Sequence, residues 1–443
     1  MPEVTDLSTH PVLIKTAMPG PLAQAEIARQ QPQMSPSLIH CYPLMVKRAS
    51  GCMVEDIDGN VLLDVQAGVA TASTGHCHPA VAAAMKQQVD TLIHICGTDF
   101  FYPGYGELCE RLNKLAPHNE KGWQTFLSNS GTEAVEAAIK LARYHTGRSQ
   151  LIAFRGGFHG RTLGSLSLTA SKPKYRKGFG PLTPGTHHVE YGDWQSIDRL
   201  FHTTVPAQEV AAIVVEPVQG EGGYIVPPAS FLQNLRAICD EHGILLIFDE
   251  VQSGMGRTGK MFAAEHFGVR PDIITLAKGI ASGMPLGAMM ARKEIMTWGG
   301  GSHGSTCGGN PVCIAAALAT LDLLEGGLVQ NAAVVGDAFK QMLSETLTGQ
   351  AGIHEVRGVG LMIGVEFTDP DIADAVANLC YERGLLVLEC GTKAIRMSPP
   401  LIFTREQAVV AHGIFTQACK DVVAKLQGGA TLPHPSEHSK LHE

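Results

Sequence analysis

Asp249 and Lys278 each stand just past a short apolar run, residues 244–248 and 273–276, rich in β-branched and aromatic side chains. Runs of that length without alternation predict strands buried on both faces. Open α/β sheets bind ligands beyond the C-terminal ends of their strands, so the two side chains would face one crevice from fixed positions. A lysine amine placed there can condense with an aldehyde. A carboxylate opposite can keep a pyridine nitrogen protonated, so that the ring accepts electrons. Together they match what pyridoxal phosphate needs. Singly, each has a plainer reading, the aspartate as a helix N-cap and the lysine as a solvated charge. The weight comes from what the other strand ends carry.

Residues 125–128 predict a strand, followed by Asn129-Ser130-Gly131-Thr132 and a helix over 133–144 with apolar residues three and four apart. A strand, a small-residue turn and a helix N-terminus form an anion site suited to phosphate, although Ser130 or Thr132 would equally serve as a plain cap. Residues 151–154 predict a second strand leading to Gly156-Gly157-Phe158-His159-Gly160-Arg161-Thr162. Phe158 beside His159 could stack on a flat ligand there, or could belong to the core. A third strand over 211–215 ends at Glu216, within Glu216-Pro217-Val218-Gln219-Gly220-Glu221-Gly222-Gly223, and a helix over 231–242 follows. Beyond Lys278 come a strand over 286–291, a glycine-rich loop over 299–310 and a helix from Pro311 to about 324. This alternation predicts an α/β fold with a mainly parallel, doubly wound sheet.

The flanks differ in character. Residues 52–65 alternate around Asp58-Gly59 and predict a hairpin outside the main sheet; helices are predicted over 81–92 and 104–115. From residue 329 a long helix, a strand over 359–367, a helix over 371–383, a strand over 385–388 and a final helix over 405–426 predict a smaller α+β domain. The organisation expected is an N-terminal arm and hairpin in 1–65 belonging to the small domain, a large domain in 66–328, the C-terminal small domain in 329–427, and a disordered polar tail in 428–443.

With 443 residues, 44% apolar and 17% charged, the chain is long enough for two domains and reads as a globular enzyme. A net charge of −8 without a basic stripe argues against nucleic acid or an anionic membrane as partner. No window of about eighteen unbroken apolar residues predicts a membrane span, and the start lacks the pattern of a secretion signal. Eleven cysteines without a CxxC pair read as buried apolar residues in a reducing cytoplasm. Gly75-His76-Cys77-His78-Pro79 crowds its candidate ligands too closely to close a tetrahedral site. His434, His438 and His442 recur every four residues, but Pro433 and Pro435 argue against the helix that would align them, so no metal is expected.

Gly254-Met255-Gly256-Arg257-Thr258-Gly259-Lys260 matches both GxGxxG and GxxxxGK. Met261 stands where a P-loop needs Ser or Thr for magnesium, and Asp249–Ser253 separates the glycines from their strand, so nucleotide binding is set aside. A non-catalytic interaction protein would not need an aspartate, a lysine, a glutamate and glycine loops at successive strand ends.

Asp249-Glu250-Val251-Gln252-Ser253-Gly254, Leu276-Ala277-Lys278-Gly279, Gly301-Ser302-His303-Gly304-Ser305-Thr306 and Gly308-Gly309-Asn310-Pro311 together resemble the class III aminotransferases, pyridoxal-phosphate enzymes of fold type I, over nearly the whole chain. The resemblance implies Lys278 as the Schiff-base lysine, Asp249 at the pyridine nitrogen, Gln252 at the phenolic oxygen, and Phe158 and Val251 on the two ring faces. Ser130, Gly131 and Thr132 would hold the phosphate, and His159 would join the cofactor site. Thr306 would reach the phosphate of a second subunit, implying a homodimer or a dimer of dimers. Cys307 departs from the family's frequent aromatic residue. For substrate, the resemblance implies Arg396 at an α-carboxylate, Glu216 as its neutralising partner, Arg143 at a distal carboxylate, and Val69 lining the pocket. The activity expected is amino transfer from an ω-amino acid, 4-aminobutyrate-like, to 2-oxoglutarate. A racemase or epimerase of the same family and an ornithine or acetylornithine aminotransferase are the alternatives.

Overall fold

The computed structural model describes residues 6–428. Its centre is a seven-stranded sheet in the spatial order Trp123–Ser128, Gly287–Arg292, Ile273–Leu276, Leu245–Asp249, Val210–Val215, Gln150–Phe154 and Thr186–Val189. The Gly287–Arg292 strand is antiparallel to both neighbours and the other pairings are parallel, so the mainly parallel sheet read from the alternation is present. Register aligns the strand ends. Val215 pairs with Phe248 and Asp249 with Thr275, so Glu216, Asp249 and, three residues past Thr275, Lys278 leave the sheet along one edge.

The helix Gly131–Thr146 lays Ala134, Val135, Ala138, Leu141 and Ala142 against this sheet. Small side chains let it approach closely, which fixes where its N-terminus ends up. The predicted strand over 359–367 is instead a hairpin, Ile353–Val359 with Met362–Phe367, because Gly358 and Gly360 turn the chain at positive φ. The predicted strand over 385–388 is split. Leu385–Leu386 pairs in parallel with Val61–Asp64 of the N-terminal hairpin, whereas Leu388–Cys390 pairs with Ala394–Met397 in the C-terminal sheet. The N-terminal hairpin thereby shares a sheet with the C-terminal part of the chain.

The glycine motif that resembled a nucleotide loop is a joint between the two parts. A Cβ at Gly360 (φ 55°) would lie 2.4 Å from the carbonyl carbon of Thr258, so only glycine fits. Arg257 is buried and donates through Nη1 to the carbonyls of Leu361 and Pro399. In the Gly75–Pro79 segment, His76 Nε2 bonds Asp64 Oδ2 at 2.7 Å and the His78 ring accepts from Ala80 N, so each ring has a local structural role. The helical run Pro311–Leu347 is long and apolar enough to cross a membrane by length and composition, in contrast to the expectation from unbroken windows. Gly327 breaks it at φ 131°, and Ala316, Ala317, Thr320 and Leu321 are buried inside the protein. The tail expected to be disordered, with its three histidines, lies outside the described residues except for Gly428.

Candidate active site

A cavity of about 430 Å³ opens at the strand ends, lined among others by Ser130, Gly131, Thr132, Phe158, His159, Glu216, Asp249, Val251, Gln252 and Lys278. Ten residues singled out from scattered parts of the sequence thus meet in one place.

Asp249 is buried and fully engaged. Its Oδ2 accepts from His159 Nδ1 at 2.7 Å, and its Oδ1 accepts from Val251 N and Thr275 Oγ1, each at 3.1 Å. Burial disfavours the charged His159 ring. The Asp249 hydrogen bond and charge, with Glu216 nearby, outweigh that and hold its pKa above the ordinary value. Lys278 sits at φ 44°, a left-handed conformation costing a non-glycine residue about 1–3 kcal/mol, and such strain gathers at functional sites. The turn is secured from below by Ser73 Oγ, which donates to Gly279 O at 2.8 Å. Burial, then the Arg396 charge, lower the lysine's pKa against the pull of Asp249, Glu221 and Glu216. A larger share of neutral amine, the nucleophilic form, follows.

At the other end, Ser130 caps the helix Gly131–Thr146, its Oγ accepting from Glu133 N at 3.4 Å. The cap and the anion site coexist, because the first helical N–H groups have no intrahelical acceptor. A Cβ at Gly131 would come 2.9 Å from Val251 Cγ1, so glycine lets the helix end close on the cavity wall.

Two substrate assignments are corrected. Glu216 does not pair with Arg396: it is buried, with Oε2 accepting from Phe158 N and Oε1 from Gly220 N. Burial pushes its carboxyl up to about 7, with the His159 charge opposing. The partner of Arg396 is Glu221, at 3.0 Å. The turn after Glu216 carries Glu221 to the arginine, where Glu221 O also accepts from Gly391 N. Burial works against the Arg396 charge, but Glu221 holds it above the usual range, and its Nε and Nη1 are buried with no hydrogen-bond partner among the described residues. Buried donors of that kind call for an anion. Arg143 is not in the cavity either. It lies in the last turn of the helix whose first residue is Gly131, about 18 Å along the axis, with Nε and Nη2 on the carbonyls of Ser149 and Pro184. The arginine that does line the cavity is Arg161, its guanidinium carbon 4.7 Å from the Tyr175 ring centroid. Arg161 and Glu221 both stood in the motif stretches, where a charged residue among glycines was the available signal.

Val69 is half-buried in a run of four left-handed residues, Ala67–Ala70, two positions before the cavity-lining Thr71. Thr306 and Cys307 are exposed on their loop, and Thr306 is not among the residues lining this chain's own cavity.

The donor set fits pyridoxal phosphate: an anion-binding helix end, two apolar ring walls, a buried carboxylate fixed by histidine, and a lysine with a lowered pKa. The family model described as aminotransferase class-III matches residues 35–419. The acetylornithine aminotransferase of Methanopyrus kandleri is 46% identical over 368 residues, covering 83% of this chain and 92% of that protein. The alanine/serine racemase of Pyrococcus horikoshii is 38% identical, over 91% of this chain and 92% of that one. The solved ornithine aminotransferase of Toxoplasma gondii superposes with a TM-score of 0.85 at 32% identity, covering 91% of this chain and 96% of that chain. The chain belongs to the class III aminotransferases. It is a pyridoxal-phosphate enzyme of fold type I, acting on amino and keto acids.

Proposed function

We propose that the enzyme moves an amino group from the end carbon of an ω-amino acid to 2-oxoglutarate, as a homodimer in the cytoplasm. The donor class spans 4-aminobutyrate and ornithine derivatives. The observation that carries this reading is the Arg396–Glu221 pair, with two guanidinium nitrogens that have no partner among the described residues. An ω-amino donor has no carboxylate beside its amine, so Glu221 neutralises Arg396 while that donor is bound. The 2-oxoglutarate carboxylate beside the keto group then displaces Glu221 and takes the guanidinium in a bidentate contact. Arg161, over Tyr175, receives the carboxylate at the far end.

Pyridoxal phosphate supplies the electron sink that stabilises negative charge on the substrate carbon. The chain does the rest. Lys278 would hold the cofactor through Nζ and, as general base and acid, would move the proton that the substrate carbon gives up. Asp249, fixed by His159, keeps the pyridine nitrogen protonated. Gln252 would hold the phenolic oxygen, and Thr306 would hold the phosphate of the second subunit.

The similarity to an alanine/serine racemase keeps a second reading alive, in which Lys278 returns the proton to the same carbon. Incubation with 4-aminobutyrate, ornithine, acetylornithine and single enantiomers of alanine and serine, with and without 2-oxoglutarate, separates the two. Glutamate formed from the ω-amino donors supports amino transfer. Inversion of alanine or serine without a keto acid, and no glutamate, overturns it.

A further inference from the structure

Tyr224 takes no part in the proton transfer, yet it occupies a costly position. It is 0% exposed and has φ 55°, left-handed for a bulky side chain. Its hydroxyl donates to Gln252 Oε1 at 2.8 Å, the one hydrogen bond that this amide makes among the described residues. Its ring lies beneath Arg396, with the guanidinium carbon 6.0 Å from the centroid. The amide of Gln252 runs along bare backbone, since a Cβ at Gly220 would come 2.4 Å from Nε2.

A primary amide has one acceptor end and one donor end of nearly equal shape, so an unheld amide can present either to a ligand. A phenolic O–H committed to Oε1 removes that freedom and leaves Nε2 to donate into the cavity. Burial raises the pKa of Tyr224, so it keeps the proton it donates. The charged groups that face it are Arg396, on the Ala394–Met397 strand, and Arg257, in the glycine joint, with the Cys390 thiol on the neighbouring strand. The two cations also favour a side chain that directs its oxygen toward them and its hydrogen away.

We propose that Tyr224 is a positioning residue that orients the Gln252 amide so that Nε2 donates to the phenolic oxygen of the cofactor, and that its ring couples this amide to Arg396. The proposal rests on Gln252 being the neighbour of that oxygen. Donation to the oxygen competes with the proton shared between it and the Lys278–cofactor nitrogen. Loss of the donor therefore makes that nitrogen hold its proton to higher pH.

The test uses the loaded enzyme and its visible absorbance titrated against pH, together with pyridoxal phosphate binding to the apoenzyme. In Tyr224→Phe, which keeps the ring under Arg396, the titration midpoint should rise by about half a pH unit or more and cofactor affinity should fall about fivefold. Gln252→Leu should shift both in the same direction, and Tyr224→Phe should add nothing in that background. A Tyr224→Phe enzyme that matches wild type while Gln252→Leu is shifted overturns the role of Tyr224 and leaves Gln252 in place. Additive shifts in the double variant, which also cover a general folding defect, overturn it too. No shift in Gln252→Leu removes the assignment of Gln252 itself, and the proposal with it.

Discussion

Glu216 and Glu221 are five residues apart, both buried or nearly so, and hold opposite protonation tendencies. Glu221 is kept charged by Arg396, whereas Glu216 is pushed up to about 7 by burial. Removing the Glu221 charge leaves a buried guanidinium uncompensated. Glu221→Gln should therefore lower kcat/KM for the ω-amino donor about tenfold or more and affect 2-oxoglutarate less, in separate half-reaction measurements. Equal losses for both substrates would contradict the exchange of partners. For Glu216 the sign follows from its raised pKa: stability present below pH 4.5 is lost as pH rises through about 7, with an upper bound of about 3 kcal/mol. Glu216→Gln should show less loss of stability than wild type between pH 5 and 8 in urea unfolding; an unchanged difference would show that the carboxyl is not held protonated. Arg161→Ala should raise donor KM about tenfold, while Arg143→Ala stays within about twofold. The reverse ranking would restore Arg143. At this scale the cofactor residues are legible in the sequence because each follows a predicted strand. The glutamate–arginine pairing is not, since the rule that selects strand ends favours Glu216, and only the folded turn shows that Glu221 reaches Arg396.

Elements are legible where both faces are buried. The Ile273–Leu276 strand and the Phe231–His242 helix stand where their apolar patterns put them. The edge strand Thr186–Val189, THHV, carries no such signal, and its pairing with Gln150–Phe154 comes from the tertiary fold. The strand predicted over 359–367 takes in only the turn and second strand of the hairpin at 353–367, because the turn, Gly360-Leu361, looks like part of an apolar run. That turn is also where the two parts of the protein interlock. Gly360→Ala places a Cβ against the Thr258 backbone at positive φ and should cost about 2 kcal/mol or more, whereas Gly326→Ala, with nothing within 4 Å, should cost under about 1 kcal/mol. Chemical denaturation of the two variants checks this, and equal costs would show that the joint is loose.

Across the whole molecule, the cavity is assembled from a helix end and the ends of several strands of the central sheet, so cofactor binding and global stability are linked. Thr306, exposed and off its own cavity, is the residue through which a second subunit would enter that linkage. Thr306→Ala should weaken pyridoxal phosphate binding to the apoenzyme about fivefold, and an unchanged affinity would remove the cross-subunit contact. The central claim is that Lys278 carries the cofactor. Borohydride reduction of the loaded enzyme, digestion and mass spectrometry test it most directly. The peptide containing Ala277-Lys278-Gly279 should bear the pyridoxyl phosphate mass on Lys278; that mass on another lysine, or on none, would contradict the account.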